Sequence, residues 1–205
     1  MTKRDRLNIL YEKYKEEFEG NEIVLGDGNP DAELLLIGEA PGKDEVKLGK
    51  PFVGTAGRNL NEFLGILGVD RTYIYISNAI KYRLSKTNPK SDRTVNRPAT
   101  TEEIKMNRQY LLNEIGIIKP GFIVTLGNVP LRAVTGNLKT TIGSVHGEVG
   151  FVHIGQAEYK LFPLYHPASV IYNRSLRDIY ICDIKKLKSY INTLELKVNS
   201  TINQP

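Results

Sequence analysis

Hydrophobic positions along the chain switch repeatedly between helical spacing and unbroken apolar runs. Leu7, Leu10, Tyr11, Tyr14 and Phe18 recur at helical intervals, and Gly20 can end that helix. Leu34-Leu35-Leu36-Ile37 reads as a buried strand. Leu60, Phe63, Leu64 and Leu67 return to helical spacing, in a helix expected from about residue 56 to 67 and closed by Gly68. The β-rich run Tyr73-Ile74-Tyr75-Ile76 predicts a second strand. Thr100 and Glu103 form a capping box for a helix carrying Ile104, Leu111, Leu112 and Ile115, which Pro120 and Gly121 stop. Residues 122–126 read as a third strand, and Gly127 opens a short helix with Leu131 and Val134. Residues 149–154 and 159–164 predict a hairpin. A final helix carries Leu176, Ile179, Tyr180, Ile184, Leu187 and Ile191.

Strands alternate with helices, and the strands lack period-two patterning. This predicts an α/β fold, a three-layer α/β/α sandwich around a mostly parallel sheet of four to five strands. One domain over residues 1–197 is expected, followed by a polar tail at 198–205. In such sheets ligands bind at the carboxyl ends of the strands. Three chemically loaded segments fall there: residues 38–57 after the first strand, Ser77-Asn78 after the second, and His166-Pro167 after the last.

The first of these, GEAPGKDEVKLGKPFVGTAG, holds five glycines and two prolines and reads as a loop that lets backbone approach a ligand closely. Glu39, Asp44 and Glu45 place carboxylates in it, and Phe52 adds a flat ring. Carboxylate, free amides and an aromatic plate at the mouth of a sheet suit a site for a flat polar ring. Gly54, Thr55, Ala56 and Gly57 precede a helix, so their amides form a natural phosphate-binding end.

Composition narrows the function classes. With 205 residues, 40% hydrophobic and 25% charged, the chain can bury a sizeable core. No apolar run approaches the ~20 residues of a membrane span. The charged first twenty residues do not read as a signal peptide, so an intracellular, cytoplasmic protein is expected. The one cysteine, Cys182, excludes an internal disulfide and a cysteine-built zinc or iron–sulfur site. Net charge is +5. Lys81, Arg83, Lys86, Lys90, Arg93 and Arg97 stand against Asp92 alone in a segment read as a loop. It is either a solvated surface or a nucleic-acid contact through Lys86, Lys90 and Arg93.

The three loaded segments together resemble the uracil-DNA glycosylase superfamily, closest to its family 4. The match covers residues 38–57, Asn78 in SNAIKYR and the LYHPAS run at 164–169, within a similarity from about 34 to 190. The resemblance implies a uracil-DNA glycosylase-like fold. It also implies a monofunctional enzyme that everts uracil from DNA and hydrolyses its N-glycosidic bond in base excision repair. DNA is the implied partner, the protein a monomer, and no cofactor is expected. That family carries four cysteines on an iron–sulfur cluster. Two of them fall near Tyr82 and Asn107 here, and neither is cysteine. The usual arginine after the His-Pro pair is replaced by Tyr172, with Arg174 two residues on. The loop after Asn78 holds no histidine, so covalent trapping of DNA is not expected.

The resemblance suggests roles that each compete with a structural reading. Asn78 offers a donor and an acceptor to uracil O4 and N3–H, or merely ends a strand. Phe52 stacks on the base or pins the loop from the core. His166, its exit fixed by Pro167, donates to uracil O2 or is satisfied by backbone. Glu39 is implied to line the pocket as a catalytic carboxylate that excludes the thymine methyl or polarises water. Glu45 positions water, supports the sugar cation or is solvated. Amides near Ala40 and Gly42 bind the O2 side. Gly54 and Thr55 meet a phosphate, and the segment from Ser169 to Arg174 lies near DNA, with Val170, Ile171 or Tyr172 as the inserting side chain. The alternatives are a DNA-binding module without turnover, a glycosylase for another modified base, and a small-molecule nucleotide hydrolase.

Overall fold

The apolar runs form the middle of the molecule. The computed structural model describes residues 1–173 and 175–192, with the side chains of 171 and 172 excepted. Its strands are β1 (Asp27–Gly28), β2 (Leu34–Gly38), β3 (Ile74–Asn78), β4 (Ser85–Asn88), β5 (Arg93–Asn96), β6 (Phe122–Leu126), β7 (Gly150–Ile154) and β8 (Ala157–Leu164). Six of these make one sheet in the order β1-β3-β2-β6-β8-β7. The four inner strands are mutually parallel, and β1 and β7 are antiparallel edges. The α-helices are α1 (Lys3–Glu17), α2 (Lys43–Leu48), α3 (Thr55–Leu67), α4 (Thr101–Ile118), α5 (Asn128–Thr135), α6 (Pro167–Tyr172) and α7 (Ser175–Asn192).

Both sheet faces are buried, which explains the unbroken apolar strands. Leu35, Ile37, Tyr75 and Ile123 face a core shared with α1, α4 and α5. Their neighbours Leu34, Leu36, Ile76 and Val124 face the opposite core, shared with α3 and α7. Each enclosed Leu or Ile contributes about 1.5–3 kcal/mol. This is the expected three-layer α/β sandwich with a mainly parallel sheet.

Four local expectations are corrected. The sheet has six strands, because the two-residue β1 pairs with β3. The second strand starts at Ile74, since residues 71–73 form a 3-10 turn capped by the Asp70 carboxylate. The glycine-rich stretch is not all loop. Glu45 accepts from the Gly42 amide, and the short helix α2 grows from that cap. The basic segment is not a loop either, because β4 and β5 form an antiparallel hairpin. Arg97 and Glu103 make a two-pronged ion pair at its base, 2.6 and 2.9 Å. Arg97 holds the Glu103 carboxyl down at about 2. After His166 the chain forms the short helix α6.

Among the described residues no helix is long and apolar enough to cross a membrane. Arg174 and the expected polar tail lie outside the described residues.

Candidate active site

Helix α3 follows β2 onto one face of the sheet, and α5 follows the adjacent β6 onto the other. The connections diverge at the carboxyl ends of these strands and leave a crevice. A cleft of about 430 Å³ lies there, and Phe52, Asn78 and His166 all line it.

Parallel register sets Asn78 directly opposite Gly38. A side chain at Gly38 would bring its Cβ within 2.5 Å of both Asn78 Oδ1 and the Phe52 ring. Glycine is therefore the residue that lets amide and ring share this end of the sheet. Asn78 is 3% exposed, yet its carboxamide makes no hydrogen bond to any described residue. Its polar atoms are not among the described buried atoms without a partner, so the amide opens onto the cleft, free to pair with a ligand there.

Phe52 has φ +53, a left-handed conformation that costs a non-glycine residue about 1–3 kcal/mol. Two devices hold it. Arg71 donates to the carbonyls of Pro51 (2.6 Å) and Phe52 (3.0 Å). Gly57 lets the Phe52 carbonyl approach to where a Cβ would sit only 2.0 Å away. The ring packs with the core of α3 and also stacks toward His166, 6.2 Å between centroids at 30°. Pinning the loop and walling the cleft are thus done by one side chain.

His166 caps α6. The Ala168 amide donates to its Nδ1 at 3.2 Å, so the neutral ring carries its proton on Nε2. Burial pushes the imidazole down to about 4, with the Glu45 charge opposing the shift. The ring is therefore neutral at pH 7 and offers one N–H donor. His146 instead pairs with Asp183 at 2.7 Å and His153 with Glu158 at 3.3 Å, and neither lines the cleft.

The carboxylates separate. Glu45 lines the cleft, but its oxygens are engaged by the amides of Gly42 (3.1 Å) and Gly54 (2.9 Å). The Gly42 amide is thus not free for a ligand, contrary to expectation, whereas the Ala40 N–H lines the cleft without a partner among the described residues. Glu39 does not line the cleft. Its carboxylate accepts from the Ala99 amide at 3.1 Å, and burial raises its pKa despite that bond. Gly54 and Thr55 begin α3 as expected. The Gly54 amide is taken by Glu45, and a Cβ there would lie 3.2 Å from the Asp44 carboxylate, so two negative groups already complement this helix start. Lys86, Lys90 and Arg93 stand exposed on the hairpin, in no ion pair with a described residue. Ser169 sits in α6 beside Ala168, which lines the cleft. The side chain of Tyr172, and all of Arg174, fall outside what is described.

Two features escaped the sequence reading. The hairpin returns Asn96 to the cleft, where Arg83 Nε donates to its Oδ1 at 3.1 Å. Beneath Asn78 lies a buried ion pair, Lys81 and Glu114, at 2.9 Å and 1% and 0% exposed. Lys81 Nζ also donates to the Asn78 carbonyl (3.1 Å), and Glu114 accepts from Ser77 and Tyr11. Ser77 directly, and the Asn78 carbonyl through Lys81, are thereby anchored to Glu114 on α4.

Comparison with known proteins now has a site to refer to. The sequence pattern of the uracil DNA glycosylase superfamily matches residues 25–194. The chain belongs to this superfamily. It is 38% identical to a type-4 uracil-DNA glycosylase of Archaeoglobus fulgidus, over 80% of this chain and 79% of that one. It is 38% identical to one from Sulfurisphaera tokodaii, over 80% and 73%. It is 35% identical to one from Thermotoga maritima, over 93% and 97%. The resemblance expected from the motifs is thereby established.

One implied feature of the superfamily's family 4 does not fit. At the positions expected for two cluster cysteines, Asn107 Nδ2 donates to the Tyr82 hydroxyl at 3.4 Å, and Tyr14 donates to Asn107 Oδ1. Phe18 and Tyr110 complete a packed aromatic group around Tyr14. No described group of His, Cys, Asp and Glu could hold a metal, and Cys182 lies exposed on α7. In this member, tilted and edge-on rings around Tyr14 and Tyr82, with the Arg97–Glu103 pair, pack at the base of the hairpin.

Proposed function

We propose that this protein is a monofunctional uracil-DNA glycosylase, acting inside the cell in base excision repair. One observation carries the reading. A carboxamide with no partner among the described residues, an aromatic wall and a neutral histidine donor meet in one cleft at the carboxyl end of the sheet.

Breaking the bond between C1′ and N1 develops positive charge on the sugar and negative charge on the uracil; water oxygen then bonds to C1′, and the proton it loses ends on the uracil anion, leaving an abasic sugar and free uracil. Groups that meet those charges lower the barrier. Asn78 offers one donor and one acceptor to O4 and N3–H, whereas cytosine presents the reversed pair. Phe52 walls the ring. His166 Nε2–H and the Ala40 amide are donors for O2 as its charge grows. A neutral imidazole holds its proton through the reaction and stabilises the anion by hydrogen bonding. Glu45, committed to two amides, acts as a fixed negative charge near the sugar cation. Eversion costs a few kcal/mol, least for a mispaired or single-stranded base. The exposed cations of the hairpin supply attraction to the DNA backbone. The proposed acting unit is a single-domain monomer.

A fluorescent strand with one uracil tests this. Alkali-labile abasic sites are expected at the uracil and not at cytosine or thymine in the same context. Tight binding without abasic sites would instead mean a binding module.

A further inference from the structure

A second recess, of about 530 Å³, borders the base cleft and is lined by Lys43, Arg83, Arg93 and Thr94. Lys43 lines both cavities. The recess lies between the start of α2 and the second strand of the basic hairpin. Lys43 and Arg93 are exposed and form no ion pair with a described residue.

Arg83 differs from a surface arginine. Its side chain is only 8% exposed. Nε donates to Asn96 Oδ1 and Nη1 to Glu22 Oε2 at 3.3 Å, while Nη2 has no partner among the described residues. Glu22 is itself half exposed, so it offsets this charge weakly. A guanidinium fixed on two sides, with one amino group unclaimed at the edge of a cationic recess, is preorganised for a phosphate oxygen. Thr94 adds a hydroxyl at the same rim.

We propose that this recess binds a backbone phosphodiester flanking the everted nucleotide. The proposal rests on the glycosylase reading for the identity of that nucleotide. Because Arg83 also holds Asn96, the phosphate contact and the wall of the base cleft share one rigid side chain. DNA is thereby gripped beside the base and not only at the far tip of the hairpin.

The test uses binding, so that it does not depend on turnover. The probe is a fluorescent single strand carrying 2′-fluoro-2′-deoxyuridine, whose fluorine disfavours the sugar cation and slows hydrolysis. Anisotropy gives Kd against salt for the wild type and for the Lys43→Gln/Arg93→Gln double variant. Both substituted side chains are exposed, so the fold is retained. One lost phosphate contact should lower the slope of log K against log salt by about 0.7. An uncharged methylphosphonate at one phosphate flanking the target should weaken the wild type more than the double variant, which keeps Arg83 at the recess. An unchanged slope, or equal losses in both proteins, would overturn the recess assignment. If the slope falls while the wild type leaves abasic sites at no uracil, the recess stands and the base assignment fails.

Discussion

Lys81→Met tests whether the ion pair beneath Asn78 anchors the site. Lys81 and Glu114 are both enclosed, and the pair is 2.9 Å apart. Methionine fills much of the lysine stem's volume, so the cavity term is small. What changes is charge: Glu114 keeps neutral donors from Ser77 and Tyr11 but loses the one cation paired with it among the described residues. Removing one partner of a buried pair costs about 3–5 kcal/mol, because the other charge stays in the interior. In a protein of this size each kcal/mol shifts Tm by about 2–4 °C, so Tm should fall by roughly 6–20 °C. Urea denaturation at pH 7 measures the free energy, and calorimetry measures Tm. Lys186→Met is the control. Its pair with Glu148 is exposed on both sides, so its loss should leave Tm nearly unchanged. Lys81 also holds the Asn78 carbonyl, so uracil excision by Lys81→Met should fall even where the variant is fully folded. A Lys81→Met protein as stable and as active as the wild type would refute the anchoring argument.

Three further outcomes follow from the site. His166 titrates near 4 when folded and near 6.5 when unfolded, so the unfolded chain binds the extra proton first and stability falls as pH drops through that window. The contribution is roughly 3 kcal/mol in full, and His166→Gln should flatten the urea-measured slope between pH 6.5 and 4. By the same reasoning the single-turnover rate should show no acid limb near 6.5. An acid limb at 6.5 that His166→Gln removes would contradict a neutral donor. Gly38→Ala drives a methyl against Asn78 and Phe52, so it should cost about 1–3 kcal/mol by thermal melt and depress turnover well beyond Thr55→Ala. Arg71→Met releases two carbonyls that hold Phe52 in its left-handed conformation, and should raise KM for the uracil strand more than it lowers kcat.

Much of this architecture is legible in the sequence because its causes are local. Apolar runs without alternation mark strands covered on both faces, as Leu35 and Leu36 facing opposite cores demonstrate. The Thr100–Glu103 capping box appears as written, with both reciprocal bonds formed. Asn78 and His166 stand out because each follows an apolar strand, and the topology brings both to one end of the sheet. The hairpin was missed because Ser-Lys-Thr-Asn and Arg-Thr-Val-Asn carry no buried face. They pair through backbone bonds alone, and Asn88-Pro89-Lys90-Ser91-Asp92 was the available turn signal. Missing the hairpin hid Asn96, which only that turn returns to the cleft. Lys81 looked like one cation of a basic segment, since its partner Glu114 lies 33 residues away and only the packing of α4 on the sheet joins them. The short helix α2 was hidden by its glycines, although Gly42 and Glu45 stand at capping spacing.

The single-turnover rate of uracil release by Asn78→Ala tests the central claim most directly. Removing a group that meets charge or orients the base in the transition state costs about 10²–10³ in rate. The account predicts a loss of that size, with a melting curve matching the wild type because the Asn78 side chain makes no hydrogen bond to another described residue. Wild-type release by a folded Asn78→Ala protein would show that uracil is not read in the cleft between Phe52 and His166.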